Sequence, residues 1–549
     1  MKRPTSLLAV LALGAPLGAQ TPIPLVEEGD AVFGVGTVTS VFALAINNQG
    51  EWLVEVDTNH PSTDEDGAVL RDGVLYLREG DPLPAPAGAL IDNFDSVQLN
   101  ESGDTCWNLG LANTTGIFDN SGLYFNTTLL AQEGTAPPIA GLSAGTTFVG
   151  FFDARTANDG SSLLIASVDD PAIASTVDRA LVIVTGTDAA SLTLTSIWAE
   201  GQTLPGTPGP ILDFSTGPHD YAYNNSGQAM FTARMDVVSD FDRVTFIDST
   251  EIAREGLPSP VAGRDWSDLG LARLDLNDAG SYVLRGSISG DTSTNTLISK
   301  DGAKFRQEGD TLAAIAPFQF TSFGSGPVYI DNLGRVFWYG DWDDPDTDVD
   351  TGLFVDDTLL VQEGVTTVGG KVIDTLRGVQ DGYAQSDDGR YLLFEAVLDD
   401  GTEGAYLIEI GSGSIQPMSD CTSPAGVLAY VSGAAALGDA FSLSMTNGQA
   451  PGVFPFLGFA TAAVPGWPPC GLVLPPFGEL LVDVTAPNPV LVLTGGAWTG
   501  APTVFNVAVP AQPGLLGETL YVQGMFADLA GLSGEPFRVT GGLQLDVGL

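Results

Sequence analysis

The segment Leu77-Arg78-Glu79-Gly80 is followed, 23 residues on from glycine to glycine, by Asn100-Glu101-Ser102-Gly103. The same two marks, Glu-Gly and then roughly Asn-x-x-Gly, occur seven times along the chain, and the second trails the first by 21 to 26 residues. The seven Glu-Gly glycines are 51 to 67 residues apart: Gly29, Gly80, Gly134, Gly201, Gly256, Gly309 and Gly364. Two marks in step seven times indicate seven copies of one structural unit.

Each unit is predicted to hold four short antiparallel strands, a to d. The Asn-x-x-Gly mark reads as the tight turn between strands a and b, where Asn and Gly supply the left-handed conformations that short hairpins require. Four strands repeating at about 50 residues are typical of a β-propeller blade. In the second unit, strand a lies near 96–99, strand b begins at 104, strand c lies near 123–125 and strand d at 128–132.

The two ends of the repeat predict how it closes. The last unit has no Glu-Gly strand d, whereas residues 24–29 form an orphan strand of that kind at the start. We therefore expect an all-β protein: a seven-bladed β-propeller over residues 21–411, closed by the N-terminal strand, which covers a sheet edge. A solenoid of the same units is the alternative. Residues 412–549 read as about eight apolar strands between Pro and Gly residues, which predicts a C-terminal β-sandwich.

Composition and the first 20 residues predict where the protein works. The chain has 549 residues, 44% of them apolar, and a formal net charge of −48. A field this negative excludes nucleic acid and anionic membrane surfaces as partners. Residues 1–20 read as a signal peptide, with a basic start, an apolar run and small residues at the cleavage site, and no other run is long enough to span a membrane.

We therefore expect a secreted protein, extracellular or at the cell surface, with the periplasm as the alternative. In an oxidising compartment Cys421 and Cys470, 49 residues apart, are expected to form a disulfide. Cys106 is expected to be a buried, free cysteine.

Acidic residues are concentrated in the predicted b-to-c loops, and −41 of the net charge of −48 lies before Ser412. One propeller face is therefore expected to be strongly negative. In the densest loop Asp346, Asp348 and Asp350 alternate as at the start of a Ca²⁺ loop, because this hard cation takes several oxygens from a short turning segment. The glycine falls one position late and the twelfth position lacks Glu. A Ca²⁺ site is therefore one prediction for this loop, and a solvated acidic loop is the other.

Other chemistry-bearing residues favour structural roles. The seven Glu-Gly glutamates either form a carboxylate ring for a metal or cationic sugar, or accept backbone N–H bonds at blade junctions, and we favour the second. His60 and His219 are expected to be surface residues, and no catalytic motif is present. Trp266, Trp338 and Trp342 either stack on sugar rings or fill blade interfaces.

The Asn-x-x-Gly turns and the segment Glu79-Gly80-Asp81-Pro82-Leu83-Pro84 resemble uncharacterised exported repeat proteins of planctomycete-type bacteria. Residues 516–524 look like part of the module that ends many of their secreted proteins. The resemblance implies the fold and export, and it brings no activity.

These observations predict a non-catalytic, exported binding or cell-surface protein whose acidic propeller face takes a glycan or another cell-surface component. The alternative is a secreted carbohydrate-active enzyme, a hydrolase or lyase, that uses carboxylates on the propeller face. A pocket with converging acids, arginines and aromatic residues would favour the enzyme. A shallow face of acidic loops would favour binding.

Overall fold

A computed structural model describes residues 22–95, 97–173, 178–237, 242–379, 381–410, 414–419, 421, 426–433, 435–436, 440–447, 451–483, 491–510, 515, 519–531 and 535–548. The predicted signal peptide lies outside them. The chain divides into two compact units, one over Thr21–Glu409 and one that includes Ile410–Leu549. In the described part, no helix has the length and apolar character to cross a membrane. Within the described residues the fold is all-β, with a 3₁₀ turn at Thr292–Thr294.

Within the described residues the strands of the first unit form seven sheets, numbered here in chain order. The first sheet contains Ala31–Val32, Gly36–Ile46, Trp52–Thr58, Gly67–Arg71 and Val74–Arg78; the second contains Leu90–Phe94, Cys106–Ala112, Ser121–Phe125 and Thr128–Gln132. The third contains Ile139–Ala140, Thr147–Thr156, Ser162–Asp169, Asp178–Thr185 and Thr193–Ala199; the fourth contains Ile211–Phe214, Tyr221–Tyr223, Ala229–Met235, Arg243–Ile247 and Thr250–Arg254.

The fifth sheet contains Trp266–Leu276, Tyr282–Ile288, Thr296–Lys300 and Ala303–Gln307; the sixth contains Phe320–Ser322, Tyr329–Ile330, Val336–Trp342, Thr351–Val355 and Thr358–Gln362. The seventh contains Thr367–Val368, Lys371–Leu376, Tyr383–Gln385, Tyr391–Leu398, Glu403–Glu409 and the N-terminal strand Ile23–Glu27. In the second sheet, strands that follow one another pair antiparallel, as the hairpin signals predict.

The hydrophobic cores lie between consecutive sheets. Leu53 of the first sheet packs in one cluster with Trp107 of the second, and Val283 of the fifth shares a cluster with Trp338 of the sixth. Val54 of the first sheet and Leu393 of the seventh also belong to one cluster, so the last sheet adjoins the first. Both faces of the middle strands are therefore covered, which explains why Thr351–Val355 is buried throughout.

The N-terminal strand pairs antiparallel with Glu403–Glu409, as the missing strand d predicted. Val26 lies opposite Ala405 and is only 2% exposed, because it enters the core shared by the seventh and first sheets. The pairing covers the outer edge that the last sheet would otherwise leave open.

The Glu-Gly marks are structural, as favoured above. The glycines take φ of 68° to 93° at all seven positions, a region that favours glycine. The Glu79 carboxylate accepts the N–H of Gly67 (3.0 Å), and Glu255 accepts those of Arg243 (3.1 Å) and Leu269 (2.8 Å). Each of these carboxylates therefore ties a strand to the loop that begins the next unit.

The turn asparagines cap their own turns. Asn277 Oδ1 accepts the N–H groups of Ala279 (3.1 Å) and Ser281 (2.9 Å), while Nδ2 donates to the carbonyl of Asp331 in the next turn (2.8 Å). The left-handed conformation belongs to the glycine alone, with φ of 65° to 82° in the seven copies. The expectation that Asn shares that conformation is wrong, because its side chain performs the capping instead.

A closed ring of hydrogen bonds joins the seven turns, and we call it the turn ring. The residue after each capping position donates its backbone N–H to the next turn, and the seventh turn donates back to the first. The steps run from Asn48 to Glu101, Asn158, Asn225, Asp278, Asn332 and Asp387, and then from Asp388 to Asn48. A closed ring requires that the seven turns lie around one axis.

The second unit has three sheets within its described residues. Five strands form one sheet: Ser414–Pro417, Phe537–Asp546, Thr519–Ala527, Phe454–Ala460 and Leu491–Thr494. Gly426–Gly433, Ala440–Asn447 and Thr503–Ala508 form the second, and Leu472–Leu474 with Gly478–Leu480 the third. Side chains of the two larger sheets share one hydrophobic cluster. Phe454–Ala460 forms a strand although it contains Pro455 and Gly458, residue types that disfavour strand interiors.

The cysteines behave as predicted. Cys421 and Cys470 form a disulfide with Cα atoms 5.3 Å apart, and Cys106 is fully buried and free.

Candidate active site

Segments from all seven sheets line one cavity of about 170 Å³, which we call the seven-sheet cavity. It follows the stretches that lead into the Asn-x-x-Gly turns, and its rim includes Asn158, Asn225 and Asn332 of the turn ring. The ionisable lining consists of Asp95, Asp153, Arg155, His219, Asp275, Asp278, Tyr221, Tyr223, Tyr329, Asp381 and Asp387.

The innermost strands are interrupted beside this cavity. The fourth sheet breaks between Phe214 and Tyr221, and the seventh breaks between Leu376 and Tyr383. In the third sheet the register shifts between Phe151 and Ala154. These irregular stretches carry His219, Asp381 and Asp153, so the interruptions turn polar side chains toward the cavity.

His219 and Asp381 meet there, although they belong to the fourth and seventh sheets. Nε2 of His219 is 2.9 Å from Oδ1 of Asp381, and the imidazole edge packs against the Tyr329 ring at 5.4 Å between centroids. Both residues have φ of 63°, in the left-handed region that costs non-glycine residues free energy. Such strain on two contacting polar residues indicates a functional position.

The protonation states of this pair follow from its surroundings. Burial lowers the pKa of His219, which is 7% exposed, although its bond to Asp381 opposes the effect. Burial alone would raise the pKa of Asp381, but the hydrogen bond and charge of His219, with the charges of Arg155 and Arg273, outweigh it and lower that pKa. Asp381 is therefore ionised, and His219 Nε2–H is the donor.

Asp153 has the opposite environment. Its side chain is buried, and desolvation raises its pKa to about 7 against the opposing charge of Arg155. Arg155 Nη2 lies 3.8 Å from Asp153 Oδ2, and this buried nitrogen finds no hydrogen-bond partner among the described residues. Thus one cavity holds a carboxyl that keeps its proton to near neutral pH and a carboxylate that does not.

A second ion pair holds Asp220, the residue that follows His219 in the chain. Asp220 accepts a hydrogen bond from Arg273 Nη1, and both side chains are buried. Arg273 Nε also donates to the carbonyl of Ser325 in the sixth sheet (3.2 Å). Burial raises the pKa of Asp220 to about 6, with Arg273 opposing.

The candidate calcium ligands lie elsewhere. Asp346 and Asp348 are exposed and Asp350 is half-buried, in the loop between Val336–Trp342 and Thr351–Val355. Across the described residues, Cys421, Cys470 and Glu479 form the one group of three or more acid, His or Cys residues whose ligand atoms lie within 4.8 Å of one another, and its cysteines are disulfide-bonded. The three aspartates are not brought together, and a Ca²⁺ site there stays a prediction.

Several other expectations have clear outcomes. The surface position expected for His219 is wrong, because the interruption of its strand turns it into the cavity. His60 is half-buried in a loop, with Nε2 4.0 Å from Glu65, and does not line the cavity. The three tryptophans fill the cores: Trp266, Trp338 and Trp342 are at most 4% exposed.

Comparison of the repeat copies could have found part of this site. The position two residues before each turn's capping residue lines the cavity in all seven copies, with Ala45, Gln98, Arg155, Ala222, Asp275, Tyr329 and Ala384. Three copies have alanine there, so Arg155, Asp275 and Tyr329 depart from the repeat. His219 and Asp381 gave no such signal, since the contact depends on how two irregular stretches bend.

A family model described as a family of unknown function (DUF7453) matches residues 18–248. No curated protein matches the chain. Among solved structures the chain is similar to Trypanosoma rangeli sialidase, at 11% identity and a TM-score of 0.28, over 98% of this chain and 97% of that one.

It is also similar to Penicillium chrysogenum α-L-arabinanase complexed with arabinobiose, at 13% identity and a TM-score of 0.26, over 71% and 98% of the two chains. A glycoside hydrolase family 32 protein of Bifidobacterium adolescentis matches at 11% identity and 0.19, over 94% and 80%. Scores this low carry no argument about activity.

The cavity corrects the main functional expectation. A non-catalytic protein that binds through acidic loops has no use for a shared cavity of buried acids with opposed pKa shifts, an arginine and a strained His–Asp pair. None of the dense acidic loop, residues 341–352, lines that cavity. The prediction of a non-catalytic binding protein is therefore wrong, and the alternative, a carbohydrate-active enzyme, agrees better with the site.

Proposed function

We propose that the protein is an exported glycoside hydrolase whose active site is the seven-sheet cavity. In this proposal the first unit is a seven-bladed β-propeller closed by the N-terminal strand, and the second is a β-sandwich. The seven sheets, the cores between consecutive sheets and the turn ring support the propeller. The cluster shared by two sheets supports the sandwich, and the disulfide agrees with export.

The observation that carries the activity is a pair of carboxyl groups in one cavity with opposite surroundings: Asp153 is buried, and Asp381 accepts a hydrogen bond from His219. Glycoside hydrolysis uses one carboxylic acid to protonate the leaving oxygen. A second group, a carboxylate, activates a water or attacks the anomeric carbon itself. Asp153, with a pKa of about 7, is the acid, and Asp381, with a lowered pKa, is the carboxylate. His219 is a positioning residue, because its hydrogen bond fixes Asp381 and favours the ionised form.

Asp153 and Asp381 together donate and accept the protons that the proposed reaction transfers. Asp153 gives its proton to the glycosidic oxygen as the bond from that oxygen to the anomeric carbon breaks. A water attacks the anomeric carbon, and its second proton passes to Asp381, whose side chain is 35% exposed and so open to water. Asp153 then regains a proton from solvent and Asp381 releases one.

The charges of the cavity favour hydrolysis over a lyase reaction. A lyase that removes a proton next to a uronate carboxylate needs cations to neutralise that carboxylate. The lining has six aspartates against Arg155, and His219 has a lowered pKa. The cavity is also smaller than the about 300–1,000 Å³ of pockets for drug-sized ligands, so we assign it one terminal sugar residue.

The test is turnover of 4-nitrophenyl glycosides of glucose, galactose, mannose, xylose, fucose and arabinofuranose by the full chain. D153N and D381N are each expected to lower kcat/KM by about 10²–10⁴, as for loss of an acid or base. D348N removes one exposed acid outside the cavity and is expected to retain wild-type turnover.

Two outcomes would contradict the proposal. One is no hydrolysis of any glycoside in the panel by a wild-type protein that melts cooperatively. The other is wild-type turnover by D153N. Thermal unfolding of both cavity variants separates loss of chemistry from loss of fold.

A further inference from the structure

The charge of the seven-sheet cavity determines which sugar it can take. Six aspartates line it: Asp95, Asp153, Asp275, Asp278, Asp381 and Asp387. Arg155 is the lining's arginine, and the remaining basic side chain, His219, has its pKa lowered by burial. Burial raises the pKa of both Asp153 and Asp275 to about 7, and even with these two protonated, four aspartates face one guanidinium.

Arg155 does not supply a site for an anion. Its guanidinium lies 3.8 Å from Asp153 and stacks over the Tyr221 ring at 5.7 Å. An anionic group brought to its Nη2 would also meet the charge of Asp381, which acts on Arg155 as well. Like charges placed together cost several kcal/mol in binding.

A neutral hydroxyl fits the same atom. Arg155 Nη2 is buried and has no hydrogen-bond partner among the residues that the structure describes. An uncharged acceptor can take a hydrogen bond from this donor without repulsion from the carboxylates. A sugar hydroxyl is such an acceptor, and its own O–H group can donate to a nearby aspartate.

Two aspartates at the rim of the cavity also disfavour an anion. Asp278 and Asp387 both lie near Asn225 Nδ2, at 3.0 Å and 3.5 Å from their Oδ2 atoms. Asp387 accepts its turn-ring hydrogen bond with its backbone carbonyl, so its carboxylate takes no part in the ring. An anion in the cavity therefore meets these two carboxylates as well.

We infer that the seven-sheet cavity selects the uncharged terminal residue of a glycan and rejects uronates and other anionic sugars. The inference rests on the proposed hydrolase function. It assigns selectivity to Asp278 and Asp387 at the rim and binding of a sugar hydroxyl to Arg155.

The experiment compares the 4-nitrophenyl hexoside that is hydrolysed best in the panel with its C6-oxidised counterpart, the 4-nitrophenyl uronide of the same configuration. The two differ by a CH₂OH group against a carboxylate. Wild-type kcat/KM for the uronide is expected to be at least about 100-fold lower. D387N keeps the turn-ring hydrogen bond, which uses the backbone carbonyl. It is expected to reduce the ratio of kcat/KM for the neutral hexoside to kcat/KM for the uronide on the order of tenfold, because one repelling charge is lost. We call this ratio the gap.

D348N removes the same charge from an exposed loop and is expected to leave the gap unchanged. A uronide hydrolysed as fast as its neutral counterpart, or an unchanged gap in D387N, would overturn the inference while the hydrolase function stands. No turnover of any neutral or anionic glycoside would overturn both.

Discussion

Glu55 lies on the strand Trp52–Thr58 of the first sheet, among other acids. Burial, followed by the charges of Asp57 and Asp381, raises its pKa to about 8. The folded protein therefore holds a proton on Glu55 at neutral pH, whereas the unfolded chain does not. This contribution to stability is full below pH 4.5 and is lost as pH rises toward 8.

Replacing Glu55 with Gln removes that titration. E55Q is expected to be more stable than wild type at pH 8, by about 1–3 kcal/mol, because no charge is forced into the site. At pH 5 the two proteins are expected to differ little. Urea unfolding at both pH values measures the difference.

Glu28 offers the matched control, since its side chain is exposed. E28Q is expected to change stability slightly and equally at both pH values. An E55Q protein that is less stable than wild type at pH 8 would show that the Glu55 carboxylate is ionised and stabilised in the fold.

At the scale of elements, the N-terminal strand allows a sharp comparison within five residues. Val26 is 2% exposed and packs in the core between the seventh and first sheets, whereas Ile23 on the same strand is 49% exposed. V26D places an unpaired charge in that core and is expected to cost about 3–5 kcal/mol. I23D adds the same charge to the surface and is expected to stay within about 0.5 kcal/mol.

Denaturant unfolding of the full chain measures both variants. Equal, small losses for V26D and I23D would mean that the strand does not hold the last sheet closed. Equal, large losses would mean that Ile23 is also covered.

The repeat elements were predictable because each mark has a local cause. Glycines at positive φ and asparagines that cap their own turns act within a few residues, so seven copies of the spacing reveal seven units. The contact of His219 with Asp381 spans 162 positions and forms only because two interrupted strands bend toward each other. No local pattern in the sequence predicts this contact. The acid-rich loops indicated a different surface as the functional one.

At the scale of the whole molecule, buried carboxyls couple stability to pH. Burial raises the pKa of Glu55 to about 8, of Asp153 and Glu395 to about 7 and of Asp220 to about 6. Each keeps its proton in the fold at pH values where the unfolded chain has lost it. Stability therefore falls as pH rises from about 4.5 to 8, against the opposing contribution of His219, whose lowered pKa favours higher pH.

Calorimetry at pH 5, 6, 7 and 8, with ionic strength fixed, is expected to show the highest Tm near pH 5 and a fall of roughly 5 °C by pH 8. A Tm that is constant or rises over this range would mean that these carboxyls are ionised in the folded protein.

The central claim is that Asp153 and Asp381, inside the seven-sheet cavity, form the acid and carboxylate of a hydrolase. The pH dependence of kcat/KM tests it most directly, measured with the best neutral glycoside for wild type and D348N. Both are expected to give a bell-shaped profile whose alkaline limb falls near pH 7, where Asp153 loses its proton. A profile that is flat or still rising through pH 8, or one that D348N changes, would contradict the claim.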